Sequence, residues 1–166
     1  MMEQGADKRS QGAIFKRAWD QLITFARDLD GIASDHGIVI AMEHLNRSES
    51  DILTSFADVV RFVKETDRPR IRALVDTYHL ELERENPEVI LRGKGLLAHA
   101  HIARTTGRTW PQRATPQLRG IFSALAETDY QGRMSVEGNS ENLLADAVQT
   151  LTILKELEKA ASISVS

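Results

Sequence analysis

Four apolar runs that each stop at a residue able to carry chemistry constrain this chain more than any other feature. GIVIAME ends at Glu43, IRALVD at Asp76, LLAHAH at His101 and RMSVE at Glu137. The stops lie 33, 25 and 36 residues apart, and each interval has room for a loop, a helix and a return to the next strand, the length of a right-handed βαβ crossover. A helix followed by four βα units is therefore expected, an α/β fold with one parallel sheet. Residues two apart in a strand share a face, so Glu43 falls with Ala41 and Val39, Asp76 with Leu74 and Arg72, His101 with His99 and Leu97, and Glu137 with Ser135 and Arg133. The opposite face is apolar throughout, from Ile38, Ile40 and Met42 to Met134 and Val136, as the side beneath helices must be. Two glutamates, an aspartate and a histidine then meet at the carboxyl ends of four strands, the place where parallel α/β folds put their chemistry.

Such a set reads as a divalent-metal site. The chain has no cysteine, so a metal can take only nitrogen and oxygen ligands, a donor set that admits Mn²⁺, Mg²⁺, Co²⁺ or Zn²⁺. Charges of both signs are interspersed and the net charge is −3, which leaves no electrostatic footprint for nucleic acid. No run approaches the roughly 18 apolar residues of a membrane span, and the polar start MMEQGADKRSQG lacks the apolar region of a secretory signal. A small-molecule substrate, no membrane partner and a cytoplasmic address are the resulting expectations.

The elements between the stops follow from periodicity. Residues 1–11 read as a disordered or linking arm, 12–160 as the domain and 161–166 as a tail. Ile14, Ala18, Leu22, Phe25, Leu29 and Ile32 predict an amphipathic helix over 14–33. Ile52, Phe56, Val59, Val60 and Val63 predict a second over 49–65. A short helix is expected to begin near Pro87, and Thr115 and Pro116 to cap and start a helix carrying Leu118, Phe122 and Leu125. The last helix, over 141–160, is expected to bury Leu144, Ala147, Leu151, Leu154 and Leu157. His36 and His44 read as surface residues. Trp110, in the polar loop ARTTGRTWPQRA, is either a stacking platform for a ligand or a loop anchor.

The motifs EHLNR at 43–47, DTYH at 76–79, HAHIA at 99–103 and YQGRMSVEG at 130–138 resemble, in order and spacing, those of the xylose isomerase-like TIM barrels, and within them the sugar phosphate isomerases and epimerases. The resemblance covers about residues 13–158. It implies half of a (β/α)8 barrel, four parallel strands with outer helices, because a whole barrel takes about 250 residues. One divalent ion would be held by Glu43, Asp76, His101 and Glu137. Glu43 and Glu137 would also move the proton through an enediolate of a sugar or sugar phosphate. Glu49, His79 and Arg108 would touch the substrate, with Arg104 as the substitute for Arg108, and His99 would pack or donate a hydrogen bond from behind the ligands. Half a barrel leaves two strand edges unpaired, so either a homodimer completes the sheet or the chain is a fragment of a longer protein. Two rivals remain. One is a half-barrel that binds metal or a partner without turnover. The other is a metal-dependent endonuclease of the abasic-site class, which needs extra histidines and a basic track that the sequence lacks.

Overall fold

In the computed structural model, which describes residues 3–164, one sheet carries the expected order of elements. Helix α1 (Glu3–Asp35) leads into β1 (Ile40–Glu43), α2 (Phe56–Thr66), β2 (Ile71–Asp76) and the short α3 (Thr77–Leu82). A 3-10 segment, Pro87–Gly93, precedes β3 (Leu97–Ile102), and another, Thr106–Arg108, precedes α4 (Pro116–Glu127), β4 (Arg133–Val136) and α5 (Leu143–Ser164). All three strand pairings are parallel, in the order β1-β2-β3-β4. Among the described residues no helix is long and apolar enough to cross a membrane.

Local chemistry explains where the inner elements begin. Ser55 caps α2 by accepting the amide of Asp58, and Thr115 caps α4 by accepting that of Leu118, with Pro116 in its first turn. The apolar stripe of α2, Phe56, Val59, Val60 and Val63, lies buried with Ile71, Ala73 and Val75 of β2 and Ala100 of β3 in one core. β2 is the best covered strand, with five of its six residues buried. That core fixes the sheet's helix-covered face and turns Glu43, Asp76, His101 and Glu137 to the other.

Four local expectations are corrected. The chain is helical from Glu3 and to Ser164, so the arm and the tail join the outer helices over the described residues. No proline interrupts either stretch, and a nucleated helix extends cheaply. The second helix begins at Phe56 rather than near Glu49, because Asn46 and Ser50 hold residues 46–52 in turns. Helix α1 buries Trp19, Ile23, Ala26 and Ala33, while Ile14, Phe25 and Ile32 are exposed. Its register is set by polar clamps: Trp19 donates its indole N–H to Glu65 at 2.6 Å, and Arg27 donates to the carbonyls of Glu65 and Thr66. In α5 the buried residues are Thr150, Leu157 and Ala161, whereas Leu144 and Leu151 face outward.

These outward residues belong to the first and last helices: Ile14, Phe25 and Ile32 of α1 and Leu143, Leu144, Val148 and Leu151 of α5 are exposed, as are Ile38 and Val39 just before β1.

Candidate metal centre

Each candidate ligand sits within one residue of the carboxyl end of its strand. Glu43 and Asp76 close β1 and β2, His101 is the last residue but one of β3, and Glu137 follows β4, its amide still bonded to the carbonyl of Ile102 at 3.1 Å. Parallel pairing sets Asp76 opposite His101, and His101 opposite Ser135. One donor atom from each of the four lies within 4.8 Å of all the others. Nδ1 of His101 is 2.8 Å from a Glu137 oxygen, 3.1 Å from Glu43 and 4.0 Å from Asp76.

Three carboxylates in so small a space repel one another, and the titration of Glu43 registers the strain. Burial, with the Asp76 carboxyl beside it, pushes Glu43 up to about 7, against the pull of His101. Asp76 is wholly buried and divides its oxygens between two tasks. Oδ1 accepts the Tyr78 amide at 2.7 Å and so caps α3, while Oδ2 faces the centre. A strand-end carboxylate that reads equally well as a helix cap or a metal ligand is placed for both.

The donor set fits a small divalent ion. A cation about 2.1 Å from each donor needs donor pairs no more than about 4.2 Å apart, so donors as far apart as 4.8 Å must close by about 0.6 Å or more. Three carboxylate oxygens and one imidazole nitrogen are hard to borderline donors, suited to such a cation.

Arg108 reaches the centre. Its guanidinium donates to Asp76 Oδ2 at 3.2 Å and Glu137 Oε2 at 2.9 Å, and lies over the Tyr78 ring, 4.7 Å from its centroid. The loop that carries it turns through positive φ at Gly107 and Arg108, and it is pinned to the segment after β4. Asn139 donates its amide to the Arg108 carbonyl at 2.7 Å, and Trp110 donates its indole N–H to that of Gly138 at 3.0 Å. Trp110 is thus a loop anchor. Arg104, the substitute, instead sets its charge beside Glu81.

His99 shares a 2.9 Å hydrogen bond with Ser135 and meets the His101 ring edge to face, 5.1 Å between centroids. Glu49 is exposed, with one oxygen held by Asn46. His79 is fully buried rather than lining the open mouth, and its Nε2 lies 3.8 Å from Asp76 Oδ2.

His36 is exposed, but His44 is not a surface residue: it has no exposed area at all. Its ring packs edge to face on Phe56 and His79, centroids 5.9 and 6.1 Å away, and burial lowers it to about 4, keeping the imidazole neutral. The sequence reading missed this wall and also Asn46, the fourth residue of the EHLNR motif just past the first strand end.

Comparisons with known proteins converge on one superfamily. A family model described as xylose isomerase-like TIM barrel matches residues 3–157. A 3-dehydro-D-guloside 4-epimerase from Escherichia coli K12 is 27% identical over 159 residues, 83% of this chain and 60% of the relative. A D-psicose 3-epimerase from Agrobacterium fabrum is 30% identical over 125 residues, 71% of this chain and 43% of the relative. Among solved structures, an L-ribulose 3-epimerase superposes with a TM-score of 0.77 at 19% identity, over 89% of this chain and 56% of that one, a likeness of fold alone. The chain spans about half the length of the relatives it matches.

Proposed function

We propose, on the premise that this chain belongs to the xylose isomerase-like TIM barrel family, that it carries the metal-binding half of a sugar epimerase or isomerase site. The observation that carries the reading is the convergence of Glu43, Asp76, His101 and Glu137 from four successive strand ends to within 4.8 Å. The printed activities of the relatives, epimerisation of D-psicose and of 3-dehydro-D-guloside, support a ketose or keto-sugar as the substrate class.

Those four residues would hold one Mn²⁺, Mg²⁺, Co²⁺ or Zn²⁺. When bound, such an ion supplies Lewis-acid polarisation of a carbonyl and so acidifies the neighbouring C–H. Glu43 and Glu137 come from the two outermost strands, a spacing that supports work on opposite faces of a flat enediolate, one removing the proton and the other returning it. Bound to a cation, the Glu43 carboxylate is held ionised, as a base must be. Arg108, between two of the carboxylates, is placed to steady developing negative charge on the sugar, and Glu49 to accept from a hydroxyl at the mouth.

The test is D-fructose incubated with the Mn²⁺-loaded protein in D₂O. Deuterium entering the carbon beside the carbonyl, and lost in Glu43→Gln and Glu137→Gln, is the expected result. Mn²⁺ binding with no deuterium entering any of a panel of ketoses and ketose phosphates favours the second reading, a half-barrel that holds metal without turnover. The exposed apolar residues of α1 and α5 support that reading, since a half-barrel lacks the cover that a complementary half would give them. The proposal extends to a second copy of the chain: rotated about the barrel axis, it would set the β4 edge of each against the β1 edge of the other, eight parallel strands in all.

A further inference from the structure

Asn46 follows the β1 stop by three residues and is almost fully buried, yet it belongs to neither the ligand set nor the expected sugar contacts. Its hydrogen bonds leave no freedom in how its amide is oriented. Oδ1 accepts the backbone amide of Ser48 at 3.0 Å, and a backbone N–H can only donate, so the other terminal atom is the nitrogen. That Nδ2 lies 2.5 Å from Glu49 Oε1 and 3.1 Å from Nδ1 of His79. The backbone amide of Asn46 points at the same His79 nitrogen, also at 3.1 Å. Two N–H groups converging on Nδ1 require a lone pair there, which leaves the proton of the neutral ring on Nε2. Nε2 is sealed from solvent, has no hydrogen-bond partner within range, and lies 3.8 Å from Asp76 Oδ2.

We infer that Asn46 is the positioning residue of the centre: it fixes the proton of His79 on the side facing Asp76 and holds the Glu49 carboxylate beside it. The inference rests on the proposed function, in which Asp76 is a metal ligand. With the proton on Nε2, the Asp76 oxygen that faces the centre has an N–H directed at it. With the other tautomer it would face a second lone pair. Groups behind a ligand that orient it in this way typically change metal affinity by about 10- to 100-fold when altered.

The experiment is long-range ¹H–¹⁵N NMR of the histidine-labelled, metal-free protein, paired with Mn²⁺ titration calorimetry of wild type and Asn46→Asp. That variant keeps the backbone amide and the acceptor for Ser48 but turns the side-chain donor into an acceptor. Wild type is expected to carry the His79 proton on Nε2. Asn46→Asp is expected to shift it toward Nδ1 and to bind Mn²⁺ about tenfold more weakly, while Asn46→Ser, which can still donate, keeps the wild-type tautomer. A wild-type proton on Nδ1, or Asn46→Asp binding Mn²⁺ as wild type does, overturns the inference. Should Asn46→Asp fail to fold, the wild-type spectrum and the Asn46→Ser titration decide. Wild type that binds no Mn²⁺ would remove the functional reading itself, an outcome distinct from a variant that merely matches it.

Discussion

Glu43 and His44 are neighbours in sequence whose surroundings shift them in opposite senses. The folded protein holds a proton on Glu43 up to about 7 against an ordinary 4.5, so this group stabilises below 4.5 and the stability is lost as pH rises through 7. His44, lowered from 6.5 to about 4, contributes stability that is present above 6.5 and lost as pH falls toward 4. The two slopes oppose each other across pH 4.5–6.5. In metal-free Glu43→Gln the melting temperature is therefore expected to fall more steeply on acidification through that window than in wild type, which differential scanning fluorimetry will register. Asp76→Asn keeps the oxygen that caps α3 but removes the charge; its Mn²⁺ affinity, measured by calorimetry, should drop more than about hundredfold, beyond the effect of altering a group behind the ligands. The four candidate ligands stood out in the sequence because a charged or imidazole group that ends an apolar run has few structural uses. His44 was not, because its burial comes from Phe56 and His79, residues that only the fold brings to it.

At the scale of elements, the strands and the inner helices follow the sequence pattern, and the outer helices depart from it. Periodicity predicts a stripe but not which stripe faces inward when a helix has apolar residues on two sides. In α1 the choice fell to Trp19 and Arg27, through their bonds to Glu65 and Thr66. The loop after β3 depends on one close approach. A Cβ at Gly138 would stand 2.7 Å from the Arg108 carbonyl oxygen, so Gly138→Ala must push that loop outward. The expected cost is about 1–3 kcal/mol in chemical denaturation, together with weakened contacts from Arg108 to Asp76 and Glu137. If the variant melts as wild type does, the loop is not braced there.

At the scale of the molecule, four strands leave an edge at each end of the sheet, and the first and last helices carry exposed apolar side chains. Patches of this kind mark contact surfaces. If a second copy covers them, light scattering should give twice the mass of one chain, and Val39→Lys, which places a charge one residue before β1, should return the monomer without unfolding it, since Val39 is outside the core. A monomeric wild type would sink the two-copy arrangement. The half-barrel itself could be read from the count of strands, but the exposed apolar residues could not, because exposure depends on neighbours that a single chain does not name. The order of the strands has one more consequence. Because β1 to β4 lie side by side in the order they are synthesised, everything that would grip the ion is encoded in one uninterrupted segment, from Glu43 to Glu137. Such a segment is portable: a chimera joining it to the first half of a relative would be expected to inherit its metal preference from this chain and its taste in sugars from the other.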